Sequence, residues 1–221
     1  ALYRYRINEL LKRQSMRNKI AQDLHDSVGS TLSSISVYSQ VAQIQSGQGD
    51  KEELNEVLGK ISTTANDMIS EMNDIVWAIN PRNDNMEKII QRMESFARPL
   101  AAARNIRFEL TYDKEVLSLQ LDMDKRKNFY LLFKEAVTNA FKYSGASLLK
   151  VNIGLTGETL QLDVEDNGVG FNVEKEMAGN KLTLSGNGLI NMQKRAGELG
   201  GTLRIEAAAG KGSALRLRFP V

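Results

Sequence analysis

The sequence predicts two domains: an all-α helical hairpin over residues 1–80 that forms a dimeric four-helix bundle, followed over 81–221 by an α+β two-layer sandwich. An apolar seam carries the first part of this reading. Leu54, Leu58, Ile61, Ala65, Met68, Met72, Ile75 and Ile79 alternate steps of four and three without a break, the spacing of helices that pack along their length. The second observation is the change after Pro81, where helical stretches alternate with period-two segments such as "LQLDV". A chain of 221 residues, 42% hydrophobic and 25% charged, has room for two such domains.

In the first helix Ile20, Leu24, Val28, Thr31, Ile35, Tyr38 and Ala42 form one stripe. "SGQGD" at 46–50 is a turn, and Asp50 with Glu53 resembles a capping box that starts the second helix. There Val57, Ile69 and Val76 widen the seam beyond what one partner helix can cover. Two copies of the hairpin supply the four helices needed, so a homodimer is expected. Pro81 in "WAINPRND" stops the helix. Beyond it, "NMEKIIQRMESFARPLAAA" is helical, "IRFEL" is strand-like, and 125–143 is a helix with Phe129, Leu132, Phe133, Ala136, Val137 and Ala140 on one side. "LLKVNIGLTGETLQLDVEDNG" reads as two strands about a turn at Gly157. Residues 171–185 read as a mobile loop, "GLINMQKRAGELGG" as a short helix closed by glycines, and "GTLRIEAAAGKGSALRLRFP" as a final hairpin.

Composition removes several function classes. A net charge of +2 gives no case for direct nucleic-acid binding, and the absence of cysteine excludes disulfides and thiolate metal sites. One histidine cannot build a His-rich zinc site. No apolar run approaches the ~20 residues of a membrane span. The basic start, with Arg4, Arg6, Lys12, Arg13, Arg17 and Lys19, reads either as a solvated helix face or as the cytoplasmic continuation of a missing membrane helix.

Four small motifs recur in order. "KEAVTNAFKY" sets Glu135, Asn139 and Tyr143 at i, i+4 and i+8 beside Lys142, one polar edge on an apolar helix. That edge is either a solvated flank or a magnesium-phosphate site, in which a carboxamide and phosphate oxygens suffice as hard ligands. "DVEDNGVGF" contains Asp166, Gly168 and Gly170 after a strand: a hairpin turn, or a carboxylate that accepts the amino hydrogen of adenine beside glycines that admit the base. "SGNGLINM" places Gly186, Gly188 and Leu189 at a helix start, where free N–H groups favour phosphate. "GKGS" brings Gly212 and Ser213 before the last strand. Each motif alone is weak, but all four in this order within 80 residues point to a nucleotide.

With "DLHDSVG", "KEAVTNAFKYS", "DNGVGF", "GNGLINMQKRAGELGG" and "GKGSALRLRFP", the chain resembles the sensor histidine kinases whose dimerisation helices begin with an H-D pair and continue into an ATP-binding domain of the gyrase and heat-shock chaperone superfamily. The resemblance covers residues 15–221. It implies phosphoacceptor and dimerisation helices over 1–80 and a catalytic ATP-binding domain over 81–221. His25 would take the γ-phosphoryl group of ATP and pass it to an aspartate on the receiver domain of a response regulator. It further implies Asn139 as the Mg²⁺ ligand, Glu135 as its supporting carboxylate, Lys142 as a phosphate contact and Asp166 as the adenine reader. Three positions depart from the family pattern. Tyr143 and Asn187 stand where many members carry histidine, and Ser30 stands where relatives often carry the glutamine that serves dephosphorylation of the regulator.

His25 is one position past Leu24, roughly 100° around the helix from the seam, and so faces outward. An exposed imidazole is mostly neutral near pH 7 and therefore nucleophilic. Asp26 is placed to orient it or accept its second N–H, and Ala21 and Gly29 clear the space on either side. The alternative is a nucleotide-sensing dimer scaffold in which His25 is incidental.

Overall fold

A computed structural model describes residues 28–29, 31–47, 51–174 and 188–221. The chain divides into two compact units, Ala1–Ile75 and Val76–Val221. His25, Asp26, Ser30, Gly186 and Asn187, the start of the first apolar stripe and the cap at Asp50 lie outside the described residues, as does most of the loop expected over 171–185. No helix among the described residues is long and apolar enough to cross a membrane.

The first unit contains helix α1, over 31–47, and most of α2, Lys51–Ile79. Gln45 Nε2 donates to Glu53 Oε2 at 3.0 Å, joining the end of α1 to the start of α2. Ala42 and Val57 are buried, whereas Val37 is 57% exposed, Ile44 62% and Ile69 57%. Of the three positions that widen the α2 seam, Ile69 and Val76 are thus left exposed in one chain and Val57 is covered.

In the second unit the last turn of α2 leads into a 3-10 turn at Pro81–Asn83, so the helix ends two residues before the proline. Then come α3 (Met86–Ala103), β1 (Arg107–Tyr112), a 3-10 turn at Lys114–Ser118, α4 (Met123–Tyr143), β2 (Leu148–Thr156), β3 (Thr159–Asp166), α5 (Gly188–Glu198), β4 (Thr202–Ala207) and β5 (Ser213–Pro220). The strands form one sheet in the order β1-β2-β3-β5-β4. β1 and β2 are parallel, as α4 between them permits, and the remaining pairs are antiparallel. The β2–β3 hairpin turns at Gly157, whose φ of 59° is one an L side chain rarely adopts.

Strand alternation gives the sheet one apolar face. Leu149, Val151 and Ile153 of β2, Leu160, Leu162 and Val164 of β3, and Leu215, Leu217 and Phe219 of β5 are all buried there. Ile89 and Met93 of α3, Phe129, Phe133 and Val137 of α4, and Met192 and Ala196 of α5 complete the same core. On the other face run ion pairs such as Arg218–Asp163 at 2.7 Å and Arg216–Glu206 at 2.6 Å. This is the expected two-layer α+β sandwich, with a mixed five-stranded sheet.

Three ends of α4 and α5 have local causes. Asp122 Oδ1 accepts from Lys125 N at 2.8 Å and caps α4. Ser144 ends it, its Oγ donating to Ala140 O at 2.6 Å and accepting from Ala146 N at 3.0 Å. α5 closes on Gly200 at φ 67°, with Gly201 N donating back to Ala196 O at 2.9 Å.

Candidate nucleotide site

A cavity of about 490 Å³ opens where α4, β3, α5 and the start of β5 converge. That is within the size range of small-molecule sites. Its walls are apolar: Ala136 and Ala140 from α4, Val164 from β3, Leu189 and Met192 from α5, Ile205 from β4 and Leu215 from β5. Polar groups enter at a few points, namely Glu135, Asn139, Ser144, Asp166 and Ser213. A flat apolar ring with one hydrogen-bonding edge suits such a lining.

α4 brings Glu135, Asn139 and Tyr143 to the cavity because residues four apart share a helix face. Asn139 Nδ2 donates to Glu135 Oε1 at 3.2 Å, which orients the carboxamide. Tyr143, 67% exposed, stands at the rim. Lys142 is exposed and is not part of the wall.

Asp166, the last residue of β3, is held from two sides. Its Oδ1 accepts from Gly168 N at 2.8 Å, and its Oδ2 accepts a short hydrogen bond from Ser213 Oγ. The β3–β5 register, which pairs Asp166 with Ser213, makes the second contact inevitable. Asn167 secures the turn that follows, accepting from Ser147 N at 3.0 Å and Leu148 N at 2.9 Å and donating to Ser147 Oγ at 2.9 Å.

The glycines divide into two groups. Gly170 and Gly188 line the cavity, and a Cβ on Gly188 would run into Glu135 Oε1 and stand 3.3 Å from Asn139 Nδ2. Gly168 and Gly212 lie behind it. A Cβ on Gly168 would strike the Ser144 carbonyl, and Gly212, at φ 74°, lies against the Asp166 carbonyl.

Of the residues singled out from the sequence, Glu135, Asn139, Tyr143, Asp166, Gly170, Gly188, Leu189 and Ser213 meet at this one cavity. Val164, Phe171, Met192, Ile205 and Leu215 line it as well and were not singled out. Strand alternation marks Val164, Ile205 and Leu215 as inward-facing but cannot say which part of the core is hollow. Asn167 was also missed, since its partners are twenty residues away in sequence.

Comparison with known proteins agrees with this arrangement. Residues 17–84 match the family described as "Histidine kinase", and 124–221 match "Histidine kinase-, DNA gyrase B-, and HSP90-like ATPase". The chain is 26% identical over 205 residues to the sensor histidine kinase LnrJ of Bacillus subtilis (strain 168), covering 92% of this chain and 47% of that protein. It is 26% identical over 225 residues to sensor histidine kinase YhcY of the same organism, covering 100% of this chain and 55% of the relative. The chain thus spans about half the length of the curated relatives it matches. Among solved structures, the histidine kinase AdeS of Acinetobacter baumannii has a TM-score of 0.58 at 15% identity, over 89% of this chain and 97% of that one. The catalytic domain of histidine kinase ThkA has a TM-score of 0.51 at 21% identity, over 62% and 93%. At these identities the likeness is one of fold. With a histidine-kinase region ahead of an ATPase domain and relatives matched along nearly its whole length, the chain belongs to the sensor histidine kinases.

Proposed function

We propose that this chain is the transferring portion of an ATP-dependent protein-histidine kinase, which phosphorylates itself on His25 and passes the phosphoryl group to an aspartate of a response-regulator receiver domain. The observation that carries the reading is the apolar cavity with the anchored Asp166 carboxylate in its wall. A neutral lining with a fixed acceptor recognises adenine by its exocyclic amino group. The only histidine of the chain lies in the region that matches the family's helical part. On this reading the functional division is 1–80 for phosphoacceptor and dimerisation helices and 81–221 for ATP binding and catalysis.

Each residue has a role by its chemistry. Asp166 accepts from the adenine amino group, and Ser213 and the Gly168 N–H keep its carboxylate in place. Leu189, Gly170 and Gly188 lie along the base and sugar, and Gly186, Lys142 and Tyr143 serve the phosphates. A Mg²⁺ ion fits the donor set, because Asn139 turns its Nδ2 to Glu135 and keeps a hard carbonyl oxygen for a cation. Among the described residues no three His, Cys, Asp or Glu side chains converge as a metal cluster, so phosphate oxygens and water would complete the shell. Bound there, the ion would neutralise charge on the β- and γ-phosphates. Glu135 would hold a water or support the cation's shell.

In the transfer, the unprotonated nitrogen of the neutral His25 imidazole attacks the γ-phosphorus. The bond from phosphorus to the β,γ-bridging oxygen breaks, and ADP leaves with that electron pair. Asp26 orients the ring through its other N–H and stabilises the charge that develops there. In the second step a receiver aspartate oxygen attacks the phosphorus, the P–N bond breaks, and His25 regains its lone pair. Exposed Val37, Ile44 and Ile69 support a homodimer through the hairpins. The basic residues from Arg4 to Lys19 suit a cytoplasmic location beneath a membrane-anchored sensor.

Incubation with γ-labelled ATP tests the reading. Acid-labile, base-stable label on the wild type, absent from His25→Gln while that variant still binds ADP, is the expected result. A wild type that binds ATP but takes up no label supports the sensing scaffold instead.

A further inference from the structure

Asn128, in the second turn of α4, is fully buried. Its Oδ1 accepts from Arg195 Nη1 of α5 at 3.3 Å, while its Nδ2, also buried, meets no hydrogen-bond partner among the described residues. An unpaired buried amide is a cost that an apolar side chain of the same size would not carry, so stability does not explain this carboxamide. Both residues belong to the unit Val76–Val221.

Asn128, Glu135 and Asn139 follow at steps of seven and four and so share one face of α4. Gly188, Met192 and Arg195 follow at steps of four and three and share one face of α5. The two faces meet at both ends. Gly188 lies against Glu135 and Asn139, so closely that a Cβ there would strike Glu135 Oε1, and Arg195 reaches Asn128. The helices therefore run antiparallel, with the Arg195–Asn128 contact two turns, or about 10 Å, from Glu135. Between the two ends Met192 is buried in the core. Apolar contact is non-directional and lets packed helices slide by small steps, whereas a hydrogen bond between fixed atoms does not. Gln193 Nε2, donating to Leu203 O at 3.4 Å, ties α5 to β4 and not to α4.

We propose that the Arg195–Asn128 hydrogen bond positions the cation end of the nucleotide site: it fixes the axial register of α5 on α4, and with it the seat of Gly188 against Glu135 and Asn139. The proposal rests on the reading above of Asn139 and Glu135 as the magnesium end. Neither Arg195 nor Asn128 is part of the cavity wall, so both act through the helices that carry it. The adenine end is held separately, since Asp166 is anchored by Gly168 and Ser213 and not by α5. A small slide of α5 leaves apolar Leu189 and Met192 beside the base but draws Gly188 off the carboxamide. Loosening the contact should therefore spare adenine recognition and blunt the response to Mg²⁺.

The test measures ADP affinity by calorimetry on the full chain, with Mg²⁺ and with a chelator, alongside urea unfolding, for the wild type, Asn128→Leu and Arg195→Met. Asn128→Leu removes the acceptor and the unpaired donor together and should unfold at no lower a urea concentration than the wild type. Arg195→Met leaves the buried carboxamide wholly unpaired and should unfold earlier. Despite these different effects on stability, both should bind ADP within about twofold of wild type in chelator, and both should show a Kd at least about fivefold higher with Mg²⁺. Mg²⁺ tightening that persists in Asn128→Leu overturns the proposal. So does affinity lost equally with Mg²⁺ and with chelator, which is general slackening of the cavity, and so does an Asn128→Leu protein less stable than wild type, which marks the pair as structural. A wild type whose ADP affinity gains less than about fivefold from Mg²⁺ refutes the magnesium reading and the proposal with it. That failure is read on the wild type alone, so the two are told apart.

Discussion

Replacing Asp166 with asparagine probes the nucleotide site without dismantling it. Asp166 makes two hydrogen bonds, one to the Gly168 N–H at 2.8 Å and one to the Ser213 hydroxyl. The substituted carboxamide keeps a carbonyl oxygen for Gly168, and its NH₂ faces Ser213, whose hydroxyl can accept as readily as donate. The turn should therefore survive, at a cost of about 1 kcal/mol for the lost charge-assisted bond. The adenine amino group would now meet a donor in place of an acceptor. Leaving such a group unpaired costs ~1–3 kcal/mol, which is about a 5- to 150-fold rise in Kd. Calorimetric titration with ADP measures this, and a urea unfolding curve on the same sample shows that the domain is intact. Asp166→Ala removes the turn's anchor as well and should lose both affinity and stability. An Asp166→Asn protein that is folded and binds ADP within about twofold of wild type would refute the assignment of Asp166 as the adenine reader.

Gly212→Ala should cost more than about 1 kcal/mol in urea unfolding, because the φ of 74° is strained for alanine and the added Cβ meets the Asp166 carbonyl. A loss of ADP affinity should accompany it. For the dimer, Val37→Asp with Ile69→Asp places charge on side chains that are 57% exposed in one chain, so the hairpin itself is spared. Each apolar side chain buried between copies is worth ~1.5–3 kcal/mol, so sedimentation should show the dimer weakened at least ~100-fold toward monomer. An unchanged dimer would move the interface elsewhere. Ser30 bears on the reverse reaction, since a carboxamide one turn beyond Asp26 is suited to hold a water in line and a short hydroxyl reaches less far. Weak phosphatase activity is expected, raised by Ser30→Gln with little change in autophosphorylation. The measurement is decay of phosphorylated regulator with ADP in a His25→Gln background, and strong activity surviving Ser30→Ala would assign the water to another group.

The sequence by itself determined the α-helices and β-strands named above for the second domain, because their signals are local, but not the 3-10 turns at Pro81–Asn83 and Lys114–Ser118. Period-two alternation marks strands such as β3, and Gly157 and Gly200 sit where the backbone needs a positive φ, whereas the Asp122 cap, which starts α4 at Met123 and not at 125, came from the structure. The sequence also determined that Glu135 and Asn139 share a face, since helical spacing alone places residues four apart together. The tertiary structure decided what lies across from them. Asp166 and Ser213 are 47 residues apart and meet only because β3 pairs with β5 in one register, and a shift of one residue would turn both to other faces. The hollow between Val164, Ile205 and Leu215 is likewise a property of packing, as their neighbours on the same apolar face are filled in. Arg126 is the sharpest case. Its sequence context, a basic residue in the first turn of a helix, reads as a solvated position, and only the fold brings the carbonyl end of α2, 46 to 48 residues earlier, onto its guanidinium. Helical and strand periodicity are written in a few consecutive residues. Pairing between distant segments depends on the whole chain having closed around one core.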